Sequence, residues 1–246
     1  MTLYSTLSEV YEAMYATFIN YEEEYNFYNK ILSEHNKSNL LEIGSGTGNL
    51  AIYFEKNGYE YCGLDLSKEM IEISKRKSPL SKFIKGDMRT FKIENKVDSV
   101  LITGRTISYL LTNKDIMLAF KRIYNNLNIG GILSFDFIDA NRFIPQVSKE
   151  EKITHEVIYK DVKYKRKSKW ELNLKTGMDF IWTSEYSKKV GGKFLKIEDD
   201  TSIVRTFTKD EIEIFLFLNN FKIKEIIDKE TYAFPTYVIV AEKIEA

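Results

Sequence analysis

Apolar side chains recur at helical spacing near the start of the chain: Tyr11, Met14, Tyr15 and Phe18, then Tyr25, Tyr28, Ile31 and Leu32. Such spacing lines one face of a helix, so residues from about 8 to 34 predict two helices, broken near Ile19–Asn20. After His35–Ser38 the period changes. Asn39–Ile43 is a short apolar strand running into a glycine-rich turn, and Thr47–Lys56 reads as a helix. The alternation then repeats: strand Tyr59–Leu64, helix Ser67–Lys77 capped by Ser67, strand Ser81–Lys85, strand Val97–Thr103. Asn113–Leu127 follows as an amphipathic helix ending at Asn128, and Gly130–Gly131 leads into a fifth strand, Ile132–Ile138. Repeated strand–helix units imply a parallel sheet with helices on both faces.

From about Asn141 the pattern changes to polar–apolar alternation, in Lys169–Leu174, Met178–Ser187 and Phe194–Ile203. The turn signals Lys175–Thr176–Gly177 and Gly191–Gly192 separate these runs, which predicts an antiparallel ribbon inserted into the parallel fold. Thr208 then caps a helix to about Asn219. Phe221–Asp228 and Tyr237–Lys243 close the chain as an antiparallel strand pair. The expected division is a core of residues 1–140 and 206–246, with an N-terminal helical cap, and an inserted subdomain of residues 141–205 that covers the substrate.

Length and composition permit one large domain with a buried core: 246 residues, 43% hydrophobic. Thirty-six basic residues balance thirty-six acidic ones. Phosphate-driven nucleic-acid binding normally shows a basic excess, so no nucleic-acid partner is expected. The short basic tract Lys163–Lys169 reads as the solvated edge of a strand. A single cysteine, Cys62, allows neither an internal disulfide nor a metal or iron–sulfur cluster, and the distant His35 and His155 share no metal-ligand spacing. The first residues show neither a basic start nor an apolar run, and no stretch reaches the roughly 18 apolar residues of a membrane span. The expectation is a soluble, cytoplasmic protein with no membrane partner and no metal.

The chemistry concentrates in LLEIGSGTGN, residues 40–49. Gly44, Gly46 and Gly48 sit between a strand and a helix, where a sharp turn and a close ligand approach leave no room for a Cβ. Asp65 closes the second strand twenty-one residues after Gly44, near the spacing of about 20 expected for a ribose-binding acid. Gly86–Asp87–Met88 follows the third strand, where an acid can accept from an exocyclic adenine amine. Acids at the carboxyl ends of successive strands point to a nucleoside site. A nicotinamide dehydrogenase would carry G-x-G-x-x-G, but the sixth position here is Asn49; there is no G-x-x-x-x-G-K-[ST] phosphate loop either.

With GLDLS, KGDMRTF, DSVLITGRTISYL and LNIGGILSFDF, this run resembles the class I S-adenosylmethionine-dependent methyltransferases over roughly residues 35–140. The resemblance implies a doubly wound seven-stranded mostly parallel sheet, order 3-2-1-4-5-7-6, with strand seven antiparallel. It places the methionyl part of the cofactor on the Gly44–Gly48 loop, the ribose on Asp65, and the adenine on Asp87 and the Met88 amide, flanked by Leu66 and Met70. On the same ground Tyr15, Glu42, Ser45, Asn49, Thr103 and Ser108 belong to the cofactor site.

The chain is also similar to small-molecule N-methyltransferases of the aminosugar and glycine/sarcosine types, which share an aromatic N-terminal segment like VYEAMY and a run like TISYL. By that likeness Tyr11 and Tyr15 close over the cofactor, and Ser108 and Tyr109 border the transferring methyl. Several of those enzymes carry histidine where Tyr109 stands. The likeness implies a small-molecule acceptor, an amine first of all, S-adenosylhomocysteine as product, and Tyr11 or Tyr109 orienting the acceptor. The other reading is a non-catalytic protein that binds or senses the cofactor. Arg105 is expected either to clamp an acidic acceptor or the cofactor carboxylate, or to form a surface ion pair. The ribbon aromatics Tyr164, Trp170, Phe180, Trp182 and Tyr186 are expected to pack within the ribbon, or else to shape a pocket or a homodimer contact.

Overall fold

A computed structural model describes residues 7–147, 152–173, 175–176, 178–231 and 235–245; Leu174 and Gly177 of the expected strand and turn, and the first six residues, lie outside them. The two N-terminal helices are α1 (Ser8–Tyr15) and α2 (Tyr21–Glu34). Between them the Asn20 side chain accepts from the amides of Glu22 and Glu23, which starts α2 afresh where the apolar period breaks. The core continues as β1 (Asn39–Ile43), α3 (Asn49–Lys56), β2 (Glu60–Asp65), α4 (Lys68–Lys77), β3 (Lys82–Lys85), β4 (Val97–Ile102), α5 (Asn113–Asn126) and β5 (Leu127–Phe137). It closes with α7 (Lys209–Leu218), β10 (Phe221–Lys229) and β11 (Thr236–Lys243).

These strands form one seven-stranded sheet, ordered β10-β11-β5-β4-β1-β2-β3. The first five run parallel, whereas β11 is antiparallel to β5 and β10. This is the expected 3-2-1-4-5-7-6 arrangement. Alternate residues along a strand face opposite sides, and the two cores divide accordingly. Leu41, Ile43, Val100, Ile102, Leu133 and Phe135 pack with Phe120 of α5 and Phe215 of α7. Leu40, Leu101, Ile132 and Val240 pack with Tyr28 of α2 and Phe54 of α3.

The second sheet is antiparallel, with β6 (Ile153–Tyr159), β7 (Val162–Leu172), β8 (Asp179–Val190) and β9 (Lys193–Arg205) in that order. Three readings need correction. The insertion starts as a helix, α6 (Ala140–Val147), whose Phe143 and Val147 are buried one turn apart; Pro145 within it masks the helical signal. Gly130–Gly131 lies within β5 as an irregularity, Gly130 at φ +69°, and is not a turn before it. Lys163–Lys169 is solvated on one face only, with Lys167 and Lys169 exposed, and β7 lies inside its sheet between β6 and β8. Its inward face carries Arg166 and Ser168, both buried.

Candidate functional site

The carboxyl ends of β1, β2 and β4 and the face of the inserted sheet enclose a cavity of about 750 Å³, within the usual ligand-pocket range of about 300–1,000 Å³. On the core side the loop after β1 takes three left-handed turns, with Gly44 at φ +75°, Gly46 at +53° and Gly48 at +75°. The amides of Gly44 and Ser45 donate to the Leu64 carbonyl, which ties the loop to β2. A Cβ on Gly44 would meet Thr106 Cγ2 at 2.5 Å, whereas one on Gly46 would enter open space. Gly48 is not part of the cavity wall. There a Cβ would strike Ser74 Cβ at 2.8 Å, so this glycine serves the packing of α3 on α4.

Asp65 ends β2 with its carboxylate held by two backbone amides, Gly46 at 2.9 Å and Ser67 at 2.8 Å. Burial raises its pKa, against the pull of those amides. Leu66 stands out at 67% exposure and Met70 is buried beneath, both on the cavity wall. Asp87, beyond β3, lines the wall with Met88. Arg89 grips the Asp87 carboxylate through Nε at 3.0 and 3.1 Å and through Nη2, and bridges to Asp115 at 2.9 Å. The bond from Arg89 is the main reason the Asp87 carboxyl is held below its ordinary range. Sequence reasoning missed Arg89, whose signal was its place two residues beyond Asp87.

Glu42 is buried at the back of the cavity and accepts from Tyr61 Oη at 2.5 Å and Thr103 Oγ1 at 3.1 Å. Burial pushes its carboxyl up to about 7 despite these donors. Arg105 is 8% exposed, so the expectation of a surface ion pair is corrected; its amide donates to Asp136 at 2.7 Å and its side chain reaches Thr231. Ser108 is displaced from its expected place. It lies outside the cavity wall, fully buried, and its hydroxyl accepts from the Ile138 amide at 3.3 Å.

The opposite half is aromatic. Tyr11 and Tyr15 stack at 4.0 Å, Tyr15 meets Phe18 at 5.0 Å, and Phe18 meets His155 of β6 at 4.5 Å. Tyr109, Trp170 and Trp182 each pack against a buried cluster that includes Ile138, Phe143 and Phe180. Of the ribbon aromatics, Trp170, Phe180 and Trp182 line the cavity, whereas Tyr164 and Tyr186 do not. Glu12, overlooked in the sequence, fastens α1 to the glycine loop: it accepts from Thr47, from Asn49 Nδ2 at 3.3 Å and from Lys77. Asn49 therefore lines the cavity with its side chain already engaged. Phe18, His155 and Arg166 were also missed, since nothing in a sequence says that strands so far apart share one cavity.

The residues suit a nucleoside with a cationic, non-phosphate tail. The open space above Gly46 is a cradle that a Cβ would fill, Asp65 is a preset pair of acceptors, and Glu42 faces the site with no ion-pair partner among the described residues. Residues 40–131 match the methyltransferase domain family. A provisionally named methyltransferase of Bacillus subtilis, YqeM, is 29% identical over 188 residues, covering 73% of this chain and 72% of its own. A dTDP-3-amino-3,4,6-trideoxy-alpha-D-glucopyranose N,N-dimethyltransferase of Streptomyces venezuelae is 29% identical, over 39% of this chain and 40% of that one. Among solved structures, DesVI of Streptomyces venezuelae superposes with a TM-score of 0.82 at 20% identity, covering 97% of this chain and 98% of that one. An S-adenosylmethionine-dependent methyltransferase from Clostridium acetobutylicum gives 0.77 at 17% identity, with 98% and 99% covered. Motif, fold and relatives agree: residues 40–131 form a methyltransferase domain, and the whole chain is similar in sequence and fold to S-adenosylmethionine-dependent methyltransferases.

Proposed function

We propose that this methyltransferase acts on the amine of a small molecule and releases S-adenosylhomocysteine. The observation that carries this reading is the continuity of one cavity, from Gly46 and Asp65 to the aromatic wall of Tyr109, Trp170 and Trp182. A site for the cofactor alone would not need the second half. The likeness to an enzyme named as an aminosugar N,N-dimethyltransferase supports the choice of nitrogen.

Bound S-adenosylmethionine supplies an electrophilic methyl on a sulfonium sulfur. The chain's task is to hold the acceptor in line and keep water out. Asp65, oriented by the amides of Gly46 and Ser67, accepts from the ribose hydroxyls. The Gly44–Gly46 turn admits the methionyl portion. Asp87 and the Met88 amide receive the adenine edge, with Leu66 and Met70 against its faces. Tyr11 and Tyr15 close over the cofactor, and Tyr109 orients the acceptor. A tyrosine with an ordinary pKa near 10 is a poor base at neutral pH, so the amine arrives neutral and the tyrosines position it. In this reading residues 141–205 act as the acceptor-covering unit on a core of 1–140 and 206–246.

Isothermal titration with S-adenosylmethionine, S-adenosylhomocysteine and NAD, on wild type and Asp65→Ala, tests the assignment. Micromolar binding of the first two, lost in the variant and absent for NAD, is expected. Silence with both sulfur ligands would remove the reading.

A further inference from the structure

Arg166, on β7, lines the cavity yet is only 4% exposed. Arginine stays charged in any protein environment, and a buried charge ordinarily has a counterion. Arg205, equally buried, has Glu211 at 2.9 Å. Among the described residues Arg166 has no such acid. Its Nη1 donates to Tyr15 Oη at 3.1 Å, Nη2 lies 3.5 Å from His155 Nδ1, and Nε has no partner. The acid across the strand pair, Glu156, is engaged by Lys163 and Lys165. The rings of Tyr15 and Trp182, at 5.2 and 5.6 Å from the guanidinium, soften the desolvation without neutralising the charge.

A further buried donor beside it also lacks a partner, the indole Nε1 of Trp182. The Tyr186 hydroxyl, which faces Arg166 across β7 and β8, interacts with the guanidinium and stands outside the cavity wall. Guanidinium and indole N–H groups can only donate. A cluster of donors around an uncompensated cation, open to a ligand cavity, is complementary to an oxyanion.

We propose that Arg166, with Tyr15 and Trp182 around it, seats an anionic group of the acceptor, a carboxylate or a phosphate. The substrate class is then a small amine that also bears an oxyanion, and neutral amines are poor acceptors. This rests on the small-molecule amine reading above. It also moves to Arg166 the anion-clamping role that the sequence offered to Arg105.

The test titrates inorganic phosphate and acetate into wild type, Arg166→Lys and Arg166→Met, each with and without S-adenosylhomocysteine. The seat is thereby read whether or not the cofactor binds, and failure of the cofactor titration alone counts against the methyltransferase reading instead. At least one anion should bind wild type and raise its melting temperature. Arg166→Met should weaken that binding roughly thirtyfold or more and leave S-adenosylhomocysteine affinity unchanged; Arg166→Lys should retain part of it. Ligand-free Arg166→Met should melt no lower than wild type, because an unpaired buried charge has gone. Stronger phosphate than acetate binding assigns a phosphorylated amine, and the reverse a carboxylated one; turnover of O-phosphoethanolamine or glycine above ethanolamine gives the same distinction. Three results would overturn the proposal: neither anion binds, anion affinity is equal in Arg166→Met, or that variant loses cofactor affinity in step.

Discussion

Gly44 and Gly46 lie two residues apart in one loop and separate two effects of a single methyl group. Gly44→Ala would force a Cβ against Thr106 at 2.5 Å in a left-handed conformation, and should lower stability by at least ~2 kcal/mol. Gly46→Ala meets open space in a similar conformation, so about 1 kcal/mol is expected, with cofactor binding as the larger loss because its Cβ enters the cavity. Chemical denaturation and calorimetric titration of both variants check the contrast. Glu42 gives a pH signature. Burial above all raises its carboxyl from 4.5 to about 7, so between those values the folded chain keeps a proton that the unfolded chain has released. Stability therefore falls as pH rises through that window and levels off above it. Glu42→Gln should remove roughly 3 kcal/mol of that fall, seen as a smaller gap between urea midpoints at about pH 5 and about pH 8.

At the scale of elements, α1 is a short helix held by charge on both sides. Glu12 ties it to Thr47, Asn49 and Lys77 of the core, and Glu9 meets Tyr159 at 2.6 Å and Lys160 at 3.0 Å of the inserted sheet. The Glu12 cluster is the better shielded, with the Glu12 and Lys77 side chains each 23% exposed. Glu12→Ala should weaken cofactor binding by ~1–2 kcal/mol and speed amide exchange in α1, as followed by mass spectrometry; unchanged exchange would mean that α1 is held by its apolar face alone. A separate element shows what a purely structural change does. The capping box of α7 joins Thr208 and Glu211 away from the cavity. Thr208→Ala should cost ~1 kcal/mol of stability and leave cofactor affinity unchanged.

For the whole molecule, the cavity is walled by residues of two separate sheets. Both tryptophans, Trp170 and Trp182, lie in the inserted sheet, whereas the glycine loop and Asp65 belong to the core. Saturating S-adenosylhomocysteine should therefore raise the thermal midpoint by tryptophan fluorescence as much as by far-ultraviolet circular dichroism, since ligand linkage acts on every element that closes the site. A shift confined to circular dichroism would show the inserted sheet melting independently of the core.

Much of this architecture was readable without coordinates, for a local reason. Gly44, Gly46 and Asp65 sit where strands end, and glycine chemistry and strand period are short-range properties that a linear reading captures. The alternation of elements made the parallel sheet legible and the short link made the last two strands an antiparallel pair, whereas the strand order was implied only by the resemblance to a known family. What lies across the cavity was not. Arg166 looked like one charge in a basic tract because β7 reads as half-polar, and only its pairing with β6 and β8 turns that residue inward. Ser108 sat beside Tyr109 in sequence, yet the turn at Thr106–Tyr109 sends one side chain to the Ile138 amide and the other to the cavity. The sequence by itself determined the glycine-loop half of the cavity, since its backbone turns and strand ends are encoded locally. Only the tertiary structure decided the half formed by the inserted sheet, because a buried charge acquires its meaning from the neighbours that folding does, or does not, bring to it.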